Sequence, residues 1–182
     1  MADERVLLIT GPAGAGKSSV AQAWAASRSE TCAHLQLDDF RQLVVSGYHD
    51  PRIGWNEEAQ RQLDLARTNV AGVATNFIKS EIDVVIDDVA FPDWEPSGLG
   101  RWERALEPIR VELVVLIPDW ATVVERNSVR DAHDQLPEPM LRKIYDDMSG
   151  WRNRSDVVLI DNSKLSIDET VAEIDRKLGQ SS

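Results

Sequence analysis

The sequence predicts a single α/β domain in which a five-stranded parallel sheet lies between two layers of helices. Five short apolar runs are typical of buried parallel strands, and they alternate with segments whose apolar residues recur at helical spacing. Strands that alternate with helices form right-handed βαβ units, which place helices on both faces of the sheet. The predicted strands span 6–9, 33–37, 84–86, 113–117 and 157–160.

The helices of this fold are predicted from their spacing and their start signals. Asp119 precedes one helix as a suitable N-cap, and Ser166 with Glu169 forms a capping-box pattern before the last one. A length of 182 residues suits one domain, so we assign residues 1–182 to a single unit. The predicted helices span 17–26, 57–79, 120–130, 137–148 and 167–178.

Composition limits the classes of partner. The chain has 20 Lys and Arg against 31 Asp and Glu, a net charge of −11, which argues against broad contact with nucleic acid or with anionic membrane. The single cysteine, Cys32, lies in an apolar stretch and is expected to be inert. We find neither a signal-peptide pattern nor an apolar run long enough to span a membrane, so we expect a cytoplasmic protein.

The most specific motif is a glycine-rich loop that follows the first strand and opens the first helix. It matches the pattern G-x-x-x-x-G-K-[ST] in full, which predicts a three-layer P-loop NTPase fold that binds a nucleoside triphosphate. Glycines let successive backbone N–H groups surround phosphate oxygens, while Lys17 reaches the β- and γ-phosphates and Ser18 binds Mg²⁺. The predicted nucleotide-binding residues are Gly11, Pro12, Ala13, Gly14, Ala15, Gly16, Lys17, Ser18 and Ser19.

Paired aspartates follow two of the predicted strands. A phosphoryl acceptor needs a carboxylate that takes its hydroxyl proton, and Asp38 or its neighbour Asp39 is placed for this role, with Asp38 favoured as the first residue after the strand. Asp87 is placed to hold Mg²⁺, and Asp88 to contact the substrate or to support Asp87. The alternatives are a helix cap or a solvated turn for the first pair and a polar strand end for the second.

Further acceptor contacts are predicted in the loops next to these carboxylates. Arg41 either binds an anionic group of the substrate or pairs with a carboxylate, and the sequence does not choose between the two. Trp55 and Trp94 lie in segments with loop composition, where each lines an acceptor pocket or packs against the core. We interpret His34, inside the second strand, as a core histidine. The segment 161–163 either contacts the adenine edge through its backbone or forms a helix-entry turn.

The segment 126–152 is predicted to form a helical lid. Arg126 and Arg130 are four residues apart in a predicted helix and therefore share one face. We expect both arginines to bind the nucleotide phosphates, and Arg126 to neutralise charge on the transferred phosphoryl group. The alternative is an ordinary solvated face that pairs with nearby carboxylates.

The chain resembles the chloramphenicol phosphotransferase-like and zeta-toxin-like small P-loop kinases. The resemblance rests on the phosphate loop and on the segments 37–40, 86–89, 125–130 and 160–163. The resemblance implies that Asp38 is the base, with Asp39 as its rival, and that Arg126 and Arg130 contact ATP phosphates. Members of this group phosphorylate an antibiotic, nucleotide sugars, sugars or RNA ends. The segment 40–54 matches no known acceptor site, so the acceptor stays open.

The sequence therefore predicts a Mg-ATP-dependent kinase that moves the γ-phosphate of ATP to a hydroxyl group of a small molecule. One alternative is an ATP-binding regulatory module or ATPase, and another is a nucleic-acid 5′-end kinase, which the net charge of −11 disfavours. A GTPase switch is disfavoured because the guanine-reading pattern Asn-Lys-x-Asp is absent from the sequence.

Overall fold

The sheet has five parallel strands in the order β2-β3-β1-β4-β5. The computed structural model describes residues 5–132 and 134–180. This order places β1, which leads into the phosphate loop, at the centre between β3 and β4. The strands are Arg5–Thr10 (β1), Cys32–Gln36 (β2), Asp83–Asp87 (β3), Arg110–Leu116 (β4) and Val158–Ile160 (β5).

Helices cover both faces of this sheet, so the predicted three-layer α/β fold is confirmed. Short 3-10 turns at Glu95–Ser97 and Ser149–Asn153 complete the chain. Among the described residues, no helix has the length and apolarity needed to cross a membrane. The helices are Lys17–Ala26 (α1), Leu37–Gln42 (α2), Glu57–Ile78 (α3), Leu99–Leu106 (α4), Trp120–Ser128 (α5), Glu138–Met148 (α6) and Ile167–Leu178 (α7).

Each face of the sheet has its own hydrophobic core. Leu8 and Ile86 have no exposed surface and pack on the side of α3 and α4 together with Trp102. Ile9 and Val85 point to the other face, where they pack with α1 and α7. The alternation along β1 and β3 follows from the two-residue repeat of a strand, and it explains why these strands are apolar throughout.

The two shortest α-helices, α2 and α4, were not predicted. Leu37 was assigned to the second strand, but it begins α2 and is 1% exposed. As a result, Asp38 and Asp39 lie in the first turn of a helix and not in a loop after a strand. In α4, Trp102 and Leu106 are buried four residues apart, but a helix of eight residues is too short for periodicity to reveal it.

Helix α5 ends at Ser128, two residues earlier than predicted. The Asn127 amide donates to the Leu136 carbonyl at 3.0 Å and accepts from the Leu136 N–H at 3.0 Å, which ties the end of the helix to the returning chain. Arg130 therefore lies in the turn beyond the helix, and the prediction that Arg126 and Arg130 share one helix face is wrong. The predicted caps Asp119 and Ser166 are confirmed.

Candidate nucleotide and acceptor site

The glycine-rich loop connects β1 to α1 and has no room for side chains at two positions. A Cβ atom on Gly11 would lie 2.2 Å from the Leu116 carbonyl oxygen, and one on Gly14 would lie 2.8 Å from the Val123 carbonyl oxygen. Both glycines also have positive φ angles, of 155° and 81°. Because only glycine tolerates these conditions, the loop can pack against β4 and α5 and keep its backbone N–H groups free of side-chain cover.

Lys17 begins α1 and lies among acidic groups. Its Nζ donates to the Pro12 carbonyl oxygen at 3.2 Å, so the ammonium group bends back over the loop. Burial lowers the pKa of Lys17, and the negative charges of Asp87 and Asp38 oppose this shift. The lysine therefore lies on the phosphate loop, near the carboxylates of Asp87 and Asp38.

Asp87, the last residue of β3, accepts two contacts from different elements. Ser18 Oγ donates to its Oδ1 at 2.9 Å, and His34 Nε2 lies 2.6 Å from its Oδ2. The other ring nitrogen of His34 lies 3.2 Å from Gln22 Oε1. The side chain of His34 is only 6% exposed, and it orients the predicted metal-binding carboxylate, a role that was not predicted from the sequence.

The side-chain oxygen atoms of Ser18 and Asp87 are suitable ligands for Mg²⁺. Magnesium prefers oxygen ligands and is usually held by one or two carboxylates together with substrate phosphates and water. Within residues 5–132 and 134–180, there is no group of three or more His, Cys, Asp or Glu side chains that could hold a metal by itself. A cation at this position would therefore share its ligands with the nucleotide.

The predicted base lies in the first turn of α2. Arg41 Nη1 donates to Asp38 Oδ1 at 2.9 Å, which is the carboxylate-pairing alternative for Arg41. The Asp38 side chain is 69% exposed and is therefore accessible to an acceptor, and Asp39 is exposed as well. The charge of Asp38 acts on both Lys17 and Asp88, which places it next to the phosphate loop.

Asp88 follows β3 and is held by the fold on both of its oxygens. Trp102 Nε1 donates to Oδ2 at 2.9 Å, and the Val89 backbone N–H donates to Oδ1 at 2.6 Å. Burial raises the pKa of Asp88, and the nearby Arg67 guanidinium opposes this shift. Neither Trp102 nor Arg67 was predicted as a site residue, because both belong to helices and lie far from any recognisable motif.

The two tryptophans proposed for the acceptor pocket contact each other. The ring centroids of Trp55 and Trp94 are 4.4 Å apart in an edge-on arrangement, and Phe91 packs against Trp94 at 5.5 Å. Trp55 is 38% exposed. This pair joins the segment before α3 to the segment after β3. The rings pack against each other, and a role for either ring in an acceptor pocket stays a prediction.

Arg126 contacts the phosphate loop directly from α5. Its guanidinium donates to the Ala15 carbonyl oxygen at 3.3 Å and to the Asn162 carbonyl oxygen at 3.0 Å. The Asn162 amide also donates to the Ala15 carbonyl oxygen at 3.0 Å. Arg130 is exposed, and its positive charge contributes to the lowered pKa of Lys17. The segment 161–163, which follows β5, was predicted as a candidate loop, but Asn162 was given no role of its own.

The remaining residues predicted to bind the nucleotide also lie in the phosphate loop or in the first turn of α1. The Ala15 N–H donates to the Pro12 carbonyl oxygen at 3.1 Å, and Gly16 has a φ angle of 86° at the start of α1. Ala13 lies within the loop, and Ser19 follows in the first turn of α1 with an exposed side chain. The structure therefore brings together the loop, Asp87, Asp88, Asp38 and Arg126, while Trp55 and Trp94 lie on the side of α3 and α4.

Solved structures with the same fold include several small kinases. The tunicamycin resistance protein of Deinococcus radiodurans aligns with a TM-score of 0.69 and 17% identity, covering 97% of this chain and 96% of that chain. A gluconokinase from Sinorhizobium meliloti 1021 gives 0.66 and 17%, covering 98% and 93%. The thymidylate kinase of Candida albicans gives 0.67 and 11%, covering 98% and 92%. At these identities, the likeness shows the fold alone.

Comparison with protein families identifies the family of this chain. None of the curated protein sequences matches this chain. The AAA domain family AAA_33 matches residues 6–154, which include the phosphate loop, all of α3, most of β1 and all of β2, β3 and β4. The match covers far more than half of the chain and implies nucleotide binding through the loop. The chain therefore belongs to the AAA domain family AAA_33.

Proposed function

We propose that this protein is an ATP-dependent phosphotransferase that moves the γ-phosphate of ATP to a hydroxyl group of a small molecule. The observation that carries this proposal is the 2.9 Å contact between Ser18 Oγ and Asp87 Oδ1 beside Lys17, with the accessible carboxylate of Asp38 next to them. A nucleotide-binding site alone needs no such exposed carboxylate. A kinase needs one to take the proton of the acceptor.

In the proposed reaction, the acceptor oxygen forms a bond to the γ-phosphorus while the bond from that phosphorus to the β–γ bridging oxygen breaks. Asp38 accepts the proton that the hydroxyl group loses, and ADP leaves with the bridging oxygen. The backbone N–H groups of the loop and Lys17 hold the β- and γ-phosphates. When bound, Mg²⁺ neutralises charge on these phosphates, and Ser18 and Asp87 are the residues that would hold it.

The segment 126–152 is proposed to act as the lid of this site. Arg126 already lies at the phosphate loop, where it donates to the Ala15 carbonyl oxygen. A small change of its side chain would present the guanidinium to a phosphate, which is a stronger hydrogen-bond acceptor than a neutral carbonyl group. Arg130 lies in the turn after α5 and would approach the phosphates when the segment closes.

The named structural relatives support a small-molecule acceptor. A gluconokinase and a thymidylate kinase share this fold along almost the whole chain. The resemblance to the chloramphenicol phosphotransferase-like and zeta-toxin-like kinases points the same way. A nucleic-acid end kinase has less support because the basic residues Arg142, Lys143 and Arg154 each form an ion pair with a nearby aspartate.

The proposal is tested by ADP release from Mg-ATP across a panel of acceptors that includes antibiotics, sugars, nucleosides, nucleotide sugars and short RNA ends. We expect release to rise with one acceptor class and to vanish in the Lys17→Ala variant. Lys79→Ala, at the end of α3 and away from the loop, is the matched control and should keep wild-type turnover. ADP release that is independent of every acceptor would instead identify an ATPase.

A further inference from the structure

A polar cluster lies between α3 and α4, outside the phosphate site. We call it the α3–α4 cluster; it consists of Gln60, Asp64, Arg67 and Arg101. Asp64 is at its centre, because it accepts from Gln60 Nε2 at 2.8 Å and from Arg67 Nη1 at 3.0 Å, and lies 3.5 Å from Arg101 Nη1. Arg101 also donates to Glu95 Oε2 at 2.8 Å, so each guanidinium group of the cluster pairs with at least one carboxylate.

The buried edge of Arg67 has no partner in the described part of the chain. The residue is only 2% exposed, yet its Nε and Nη2 atoms make no hydrogen bond to any residue in 5–132 or 134–180. A buried donor without a partner destabilises the fold, and the effect is larger when the donor is charged. Native proteins keep such groups rarely, and the recognised reasons are strain, a catalytic role, or a bound water or ion.

The two atoms without partners form one edge of the guanidinium group. The same edge binds carboxylates elsewhere in this chain: Arg61 uses Nε and Nη2 on Glu58 at 2.8 and 2.7 Å, and Arg176 uses them on Glu173 at 2.7 and 2.6 Å. Two parallel N–H groups match the oxygen pair of a carboxylate or a phosphate. We call the Nε and Nη2 edge of Arg67 the Arg67 fork.

The Arg67 fork is close to the predicted acceptor side of the site. Trp102 lies under the Arg67 guanidinium at 5.4 Å and donates to Asp88 at 2.9 Å, so it connects the two residues. Asp38 in turn acts electrostatically on Asp88. Trp102 and Asp88 therefore connect the fork to the side of the site where Asp38 lies.

We propose that the Arg67 fork binds a carboxylate or phosphate group of the phosphoryl acceptor, so that the acceptor is a small hydroxylated anion. This inference rests on the proposed kinase function and names its substrate class. The net charge of −11 repels anions at long range, so an anion is retained only where local donors such as these hold it. The fork is covered in this conformation, so an acceptor reaches it only when the side chains that cover it move apart.

The fork is tested directly by NMR of the side-chain Nε–H groups of arginine in the wild-type protein. The Arg67 signal is identified by its loss in Arg67→Lys, and ADP with Mg²⁺ is added to occupy the phosphate loop. We expect saturable shifts of this signal with acetate or with inorganic phosphate, and the two titrations separate a carboxylate site from a phosphate site. The Arg61 signal, already paired with Glu58, should not move. A response no larger than that to sodium chloride at equal ionic strength would overturn the proposal.

Turnover provides a second, independent measurement. Matched acceptors are compared: gluconate with its neutral polyol glucitol, and glucose 6-phosphate with glucose. For any anionic acceptor that is turned over, Arg67→Lys should lower kcat/KM by about 10- to 100-fold, as expected for the loss of a charge-assisted pair of hydrogen bonds. Arg61→Lys on the same helix should leave kcat/KM unchanged.

The two proposals fail in different ways. Efficient turnover of neutral acceptors that is unaffected by Arg67→Lys would retain the kinase and overturn the anion site. Saturable anion shifts at Arg67 without turnover of any acceptor would retain the anion site and overturn the kinase.

Discussion

At the scale of single residues, Asp87 is where the nucleotide site meets the core of the protein. One of its oxygens accepts from Ser18 in the phosphate loop, and the other contacts His34 on the neighbouring strand β2. The side chains of His34 and Asp87 are only 6% and 7% exposed. Because water hardly reaches this carboxylate, its orientation depends on the two protein partners, and His34 is a positioning residue for it.

We therefore expect His34→Ala to lower the free energy of unfolding. The substitution leaves a buried carboxylate oxygen without its partner, which costs about 1–3 kcal/mol. Urea unfolding at neutral pH measures the change. His49→Ala, at an exposed histidine near the start of α3, is the control and should stay within about 0.5 kcal/mol of wild type. Equal stabilities of the two variants would show that the 2.6 Å contact contributes nothing.

The kinetics of two variants distinguish which of Asp38 and Asp39 is the general base. We expect Asp38→Asn to lower kcat by about 10²- to 10⁴-fold, because the acceptor loses its general base, while the affinity for ATP stays close to that of wild type. Asp39→Asn should have a much smaller effect, since only Asp38 is held by Arg41 and acts on Lys17. Steady-state turnover with the identified acceptor measures both variants. The reverse result would make Asp39 the base.

Much of the nucleotide site could be predicted from the sequence because its residues belong to local motifs. Lys17 and Ser18 follow from the loop pattern, and Asp87 follows from its place at a strand end. His34, Arg67 and Trp102 could not be predicted, since each acts on a residue far away in the chain. Only the sheet order and the packing of α3 against α4 bring these partners together.

At the scale of elements, local signals determined how well each helix was predicted. Helices α1 and α7 have the predicted bounds, and the capping box of Ser166 and Glu169 is present. Helix α2 was missed because Leu37 continues the apolar pattern of β2, although it turns into the core on the side of α3. Its helical start moves Asp38 into a first turn, where a carboxylate also interacts favourably with the helix dipole.

The first turn of α3 gives a prediction about pH. Hydrogen bonds from Arg61 and then Gln62 lower the pKa of Glu58 from 4.5 to about 2. Since the folded-state pKa is the lower one, the ionised glutamate stabilises the fold above pH 4.5, and this contribution disappears as the pH falls toward 2.

Wild type should therefore lose more stability between pH 6 and pH 3 than Glu58→Gln, by a small amount because the pair is accessible to solvent. Urea unfolding at both pH values measures the two losses. Glu30→Gln, at an exposed site before β2, should behave as wild type does. Identical pH dependence in wild type and Glu58→Gln would mean that the Arg61 pair does not persist in solution.

At the scale of the whole molecule, the phosphate loop is joined to both cores. It follows β1, the central strand, whose residues Leu8 and Ile9 pack on opposite faces of the sheet. Gly11 and Gly14 press the loop against β4 and α5, and Arg126 and Asn162 hold the Ala15 carbonyl oxygen. A nucleotide that fills this loop therefore stabilises the contacts among β1, α1, α5 and the end of β5 together.

Nucleotide binding should consequently raise the stability of the entire domain. A ligand that binds only the folded state at 100 times its Kd contributes about 2.7 kcal/mol, because the unfolded chain lacks the loop geometry. For a protein of this size, such a gain corresponds to a rise in Tm of about 5–10 °C. Thermal unfolding with increasing Mg-ATP measures the rise, and a non-hydrolysable ATP analogue separates binding from turnover. Lys17→Ala should lose most of the shift and Lys79→Ala should retain it. An unchanged Tm in wild type at saturating nucleotide would contradict nucleotide binding at this loop.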